Sequence, residues 1–361
     1  MSSKLRFSSK RFLLTLMLCA CSVILLQNYD LSPNASFTFN LICVASGLAI
    51  CFVLFIPAII IKSRTNLDFL TVAAVKTPRL KIPIAVFYSV YFIFTAEFFL
   101  LPYTDMFRKK YYYDVTPCLI AALLLITCVY AAIKGVNVIT RFGIFLFAFA
   151  MLTNILMFGG SLGQMDFSLN TFELTGGFPD YIRNTLYFVT PAFIAVLFAC
   201  LSGKTKNFRI RQTVFALIFT GVKYALVLFF IWFALGAYAQ RQEYQTFLLS
   251  RAAHFSSFGG IESFYLALAT MSVFMIISLM LCAVTKSVKR ESDLKTVIIF
   301  VVILFAAHAC GTYLNSVKEI LTNTTVFVIF TAIAAAVIPS AYIFAGRKSN
   351  ARKALHNITM S

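Results

Sequence analysis

The chain has 361 residues, 60% of them hydrophobic and 12% charged, with a mean hydropathy of +0.88. A soluble domain is about half apolar and a quarter charged, so this composition excludes an ordinary soluble enzyme or binding module and predicts an all-α polytopic membrane protein. Its 31 basic and 13 acidic residues give a net charge of +18. The base is scattered through short loops, which points to topology signals and anionic membrane lipid and away from nucleic acid.

Taken in order, the chain opens on Lys4, Arg6, Lys10 and Arg11, then an apolar run of only 15 residues from Phe12 to Leu26. Such a start resembles a signal peptide, and Leu18-Cys19-Ala20-Cys21 has a faint lipoprotein-signal look. A further span follows in place of a soluble domain, so the run is expected to stay as the first helix. Apolar runs long enough to cross a bilayer, about 20 residues each, predict about ten transmembrane helices. They lie near 12–27, 40–61, 82–104, 116–133, 141–160, 184–202, 212–239, 262–285, 295–314 and 323–346. With N- and C-termini cytoplasmic, 23 Lys and Arg fall in inner segments and 7 in outer loops, and Lys223 within span 7 completes the 31. That asymmetry fits the positive-inside rule, with the outer cluster Arg108-Lys109-Lys110 as the exception.

Two amphipathic loops stand out, 62–81 after span 2 and 240–261 after span 7. They correspond if a single transmembrane domain holds two five-helix repeats of opposite orientation, 12–160 and 184–346, joined by 161–183 and followed by a basic cytoplasmic tail at 347–361. Span 1 is short, and span 6 carries Thr190-Pro191 at its middle, where proline frees a backbone carbonyl and kinks the helix. Paired short or broken helices at corresponding places point to a transporter-type binding site.

Of the 13 acidic residues only Glu97 lies deep in an apolar run. A charge at that depth costs ~2.5–3.5 kcal/mol on insertion scales and normally faces a bundle interior or a wet cavity. Helical spacing puts Ser89, Ile93 and Glu97 on one side of span 3 at i, i+4 and i+8. A ligand or water cavity is therefore expected among these three, Ser22 of span 1, Thr190 and Pro191 of span 6, and Thr270 and Ser272 of span 8. Each hydroxyl is equally suited to bonding back to its own turn. Lys223 is a candidate charge partner for Glu97, a stand-in for a transported cation, or a lysine that snorkels toward the cytoplasmic side. His308 in span 9 has no carboxylate near it in sequence and reads as a packed neutral histidine. The nine cysteines lack metal-ligand spacing and read as small buried hydrophobes. There is no Gly-rich phosphate loop, HExxH or nucleophile elbow, so no catalysis, cofactor or metal is expected.

Residues 130–141, YAAIKGVNVITR, close span 4, turn and begin span 5. They resemble the pattern YAARKGIEVIAR of the endospore germinant-receptor B subunits, the spore permease family. Ala96-Glu97-Phe98 in span 3, MDFSLNTF at 165–172 and SVFMIISLML at 272–281 are similar to that family too, so the resemblance runs over most of the chain. It implies the fold of the amino acid–polyamine–organocation transporter superfamily, a LeuT-like five-plus-five inverted repeat. It also implies a subunit of the spore inner membrane, or bacterial cell membrane, that senses a small nutrient such as an amino acid. The partners so implied are a germinant-receptor A-type membrane subunit and a C-type lipoprotein. Two departures stand out. Cys19-Ala20-Cys21-Ser22 occupies the place where relatives carry glycine, and Thr190-Pro191-Ala192-Phe193 stands for Phe-Gly-Glu. Three readings stay open: a nutrient sensor, its ligand less polar than a typical amino acid; a transporter of amino acids or amines coupled to protons through Glu97; and an assembly subunit without ligand.

Overall fold

The computed structural model describes residues 7–26, 35–111, 113–169, 174–206, 208–240, 242–254, 260–288 and 294–345. The tail at 347–361, Lys4, Arg6, Arg241, Lys289, Arg290 and residues 170–172 of the linker lie outside them. Among the described residues ten helices are long and apolar enough to cross a membrane. Spans 1 to 5 are Ser9–Leu26, Phe37–Thr65, Pro78–Lys110, Pro117–Lys134 and Val136–Gln164. Spans 6 to 10 are Phe178–Leu201, Ile210–Leu235, Glu262–Val288, Leu294–Tyr313 and Thr324–Ile343.

Local chemistry sets the helix ends. Ser36 caps span 2 by accepting the Phe39 N–H at 3.2 Å, and Asn323 caps span 10 by accepting those of Thr325 and Val326 at 2.9 and 3.1 Å. Pro117 opens span 4, where its missing N–H costs nothing. Gly135 ends span 4 at φ +84°, with its N–H directed to the carbonyls of Ala131 and Ala132. Side chains rarely adopt that backbone, so the YAAIKGVNVITR motif is a tight helix–helix turn built on its glycine.

Burial sorts the spans into layers. The apolar windows of spans 6, 1 and 8 are 94%, 83% and 78% buried, those of spans 9 and 5 only 28% and 33%. Spans 1, 6 and 8 thus form the interior, and spans 4, 5, 9 and 10 present much of their surface outward, where lipid would cover it. The face where span 1 begins is called the base here, and the face where it ends the top. A short helix, Phe69–Lys76, follows span 2 at the base, and another, Gln245–Ala252, follows span 7 at the top. The two loops that stood out in the sequence therefore lie at opposite ends, as a five-plus-five inverted repeat requires. The base also carries the one pair of strands among the described residues, β1 (Phe7–Ser8) and β2 (Thr205–Lys206), which run parallel.

Span 1, short in the sequence, is an uninterrupted α-helix over Ser9–Leu26. Its polar residues stay within it: Thr15 donates to Arg11 O at 2.8 Å and Ser22 to Leu18 O at 2.6 Å. With Cys19-Ala20-Cys21-Ser22 in place of glycine, nothing in the run favours an unwound turn. Three hydroxyls from other elements instead reach its carbonyls: Tyr224 to Ala20 and Thr246 to Ile24, at 2.8 and 2.9 Å, and Tyr265 to Leu25.

Candidate functional site

Span 6 is the helix that breaks. A 3-10 turn at Thr190–Ala192 separates Phe178–Val189 from Phe193–Leu201. Pro191 has no N–H to give to Tyr187 O, the carbonyl four residues back. That carbonyl is not left open. The N–H of Thr190 takes it, and so does the Thr190 hydroxyl at 2.7 Å. From span 2, the Cys51 thiol reaches Val189 O at 3.5 Å and Phe188 O at 3.8 Å. The turn is wholly buried between spans 1, 2 and 10. Its polar groups are satisfied within the protein, so a ligand would have to displace these bonds to use them.

Glu97 and His308 form the second polar centre. Both side chains are fully buried, and His308 Nδ1 lies 3.1 Å from Glu97 Oε2, joining span 3 to span 9. The other ring nitrogen faces Thr104 Oγ1 at 3.5 Å, and Thr104 gives its own proton to Leu101 O at 3.1 Å. The second carboxylate oxygen, Oε1, has no hydrogen-bond partner. His308, which has no carboxylate near it in sequence, is packed as expected and takes its partner from a helix 211 residues away. The proposed Lys223–Glu97 pair is corrected. Lys223 is enclosed and only 7% exposed, so it does not snorkel out, and its electrostatic neighbour is Cys21 of span 1.

The predicted cavity residues do not converge. Ser89 donates to Ala85 O at 2.7 Å and meets Ser287 of span 8 at 3.3 Å, near the base. Ile93 borders a narrow apolar crevice with Phe92, Ile277, Met280, Phe300 and Leu304, which has room for about one water molecule. Glu97 turns to span 9. Four residues along an α-helix turn about 40° past a full revolution, so two such steps swing Glu97 about 80° from Ser89 and onto another neighbour. Thr270 donates to its own turn at Leu266 O, 2.9 Å, and meets the Tyr103 hydroxyl at 3.0 Å, toward the top. Ser22 bonds only to its own helix, and Ser272 is buried in span 8.

At the base, charges clamp the end of span 6. Lys286 of span 8 pairs with Asp68 at 2.6 Å and donates to Cys200 O at 2.9 Å, while Lys62 donates to Ser202 O at 2.7 Å. Cations suit a helix C-terminus, whose last carbonyls carry partial negative charge. Asp68 also caps the helix Phe69–Lys76 through Thr71. In the sequence Lys62 and Lys286 count only as topology charges; their position beside span 6 carries no signal there. Among the described residues no group of three or more His, Cys, Asp or Glu side chains is placed to hold a metal.

A ten-span bundle with a broken helix at its centre is a transporter-class architecture. It is similar to the crystal structure of MhsT in complex with L-phenylalanine, with a TM-score of 0.56 over 92% of this chain and 89% of that one. At 13% identity the similarity shows the shared LeuT-like fold and no more. No curated protein sequence matches the chain. The sequence pattern of the spore permease family, described as spore germination protein, matches residues 4–320, and the chain belongs to that family.

Proposed function

We propose that this chain is a spore-membrane receptor subunit that senses a small nutrient germinant and passes the signal to A-type and C-type partners. The observation that carries the reading is the family match over residues 4–320 on a bundle whose enclosed span 6 breaks at Thr190–Ala192. In this reading the repeats are 12–160 and 184–346, both termini are cytoplasmic, and the base faces the spore core. The nutrient binds where span 6 breaks, beside Ser22 of span 1, and competes for the carbonyls now held by Thr190 and Cys51. It can shift the bundle only by its differential affinity for the two states, and the satisfied turn described above is the state it must displace. The chain acts by binding and not by catalysis.

The test is germination of spores lacking the chain, or carrying Thr190→Ala, scored against a nutrient panel with protein level checked. Loss of the response to one nutrient in the deletion, and a weakened response to it in Thr190→Ala, is the expected result. Unchanged responses in the deletion refute a receptor role. An unchanged response in Thr190→Ala, against a lost one in the deletion, makes the chain an assembly subunit. Sustained nutrient uptake by vesicles holding this chain alone makes it a transporter.

A further inference from the structure

The pair at spans 3 and 9 has features that a structural hydrogen bond does not need. One carboxylate oxygen of Glu97 is buried and unpartnered. Both ring nitrogens of His308 face oxygen, and Thr104 has already spent its own proton on Leu101 O, so it can only accept from the ring. One turn further along span 9, the Thr312 hydroxyl is buried and also unpartnered. Beyond it, at the top, Asp105 pairs with Lys318, and the two side chains are 21% and 39% exposed. Asp105 is eight residues past Glu97, roughly 12 Å along the helix. Polar groups are thus present on spans 3 and 9 between the buried pair and the top surface. On the opposite side of the pair lies the apolar crevice bordered by Ile93 and Leu304.

The elements packed on spans 3 and 9 carry other titratable groups, among them Cys19 (span 1), Cys128 (span 4), Tyr265 and Cys282 (span 8), Tyr342 (span 10), and Lys318 and Glu319 (helix Asn315–Thr322), with Tyr88, Tyr91, Tyr103 and Asp105 on span 3 and Cys310 and Tyr313 on span 9. Among the described residues His308 alone bonds to the Glu97 carboxylate. With one proton between them the pair is neutral, as acid and imidazole or as carboxylate and imidazolium. Without that proton a single negative charge remains in a buried, largely apolar setting, which protein interiors tolerate poorly.

We infer that Glu97 and His308 form a proton-binding site, and that the bound proton holds spans 3 and 9 together. The closed pair keeps its proton. An arrangement that parts the two spans lets water reach the carboxylate and releases it. Proton binding and opening are then linked, and linkage is reciprocal: raising the pH favours opening, and opening releases one proton. The site does not depend on which nutrient the chain senses, so failure here would leave the receptor reading standing.

The test is thermal or denaturant unfolding of the purified full chain in detergent across about pH 6.5–9, for the wild type, Glu97→Gln, and Glu97→Gln with His308→Gln. A proton held by the closed pair and lost on exposure makes the wild-type unfolding equilibrium rise by up to tenfold per pH unit once the exposed histidine is neutral, above about 6.5. Glutamine keeps a hydrogen bond and needs no proton, so both variants should show a shallower slope whatever their absolute stability. A structural hydrogen bond alone would lower stability and leave the slope unchanged, which overturns the proposal. If neither variant folds, Glu97→Met takes their place, an apolar side chain of similar length that needs no proton: a slope equal to that of the wild type overturns the site, and a shallower one supports it.

Discussion

Replacing Gly47 by alanine should prise span 2 off the break in span 6. A Cβ at Gly47 would stand 2.6 Å from Phe188 Cβ, 2.9 Å from its carbonyl carbon and 3.0 Å from its carbonyl oxygen, against 3.4–4 Å for ordinary contact. None of these atoms is moved by a rotamer change, so the helices themselves must separate, by the better part of an ångström. Overpacking of this kind costs roughly 1–3 kcal/mol. The damage extends beyond the contact, because Cys51 lies one turn further along span 2 and holds Val189 O and Phe188 O just before the 3-10 turn. The assay is thermal unfolding of the purified chain in detergent, with Gly163→Ala as control, since a Cβ there meets nothing within 4 Å. Gly47→Ala should unfold at a clearly lower temperature and the control at about that of wild type. A Gly47→Ala protein as stable as wild type would refute the close approach of spans 2 and 6, and with it the enclosure of the broken turn.

Two further substitutions probe other parts of the bundle. Lys286→Met leaves Asp68, 4% exposed, without its cation and Cys200 O without a donor. Breaking a buried pair costs about 3–5 kcal/mol, and the bonds from Thr71 that stay with Asp68 put the expectation at the lower end. Denaturation in detergent and protease sensitivity of the loop after span 6 read it, and unchanged values for both count against the clamp. Gly135→Ala meets no steric contact but must hold φ +84°, so strain alone should cost about 1–3 kcal/mol. A neutral result would mean that the turn between spans 4 and 5 relaxes freely.

The spans were legible because about 20 consecutive apolar residues have one stable use, and Pro191 marked the break because a missing N–H cannot be repaired by a helix. Glu97 was legible as buried because its depth follows from its position in an apolar run. Its partner was not, since pairing across 211 residues depends on how spans 3 and 9 are rotated against each other, which hydropathy does not record. The same gap explains Ser89 and Ile93, whose shared side with Glu97 held at each step of four residues and failed over eight. Span 1 was legible as short, and a helix enclosed by protein need not match the full thickness of lipid. The cavity expected at spans 1, 3, 6 and 8 drew on hydroxyls that the fold uses largely for bonds within single turns or between neighbouring helices.

The enclosure of span 1 also has a bearing on biosynthesis. It leaves the ribosome well before the helices that enclose it, because the ends of spans 6 and 8 are polymerised 175 and 262 residues after Leu26. At about 5–20 residues per second, that is a wait of roughly 10–50 s. During it, span 1 must sit in lipid or against the insertion machinery without the walls that later bury it. The bonds from Thr15 to Arg11 O and from Ser22 to Leu18 O need no neighbour, so these hydroxyls are satisfied from the outset. The late donors Tyr224, Thr246 and Tyr265 then arrive in chain order, each engaging the helix further toward its top. An interior helix made before its walls thus serves as a mandrel on which the second half of the chain is wound.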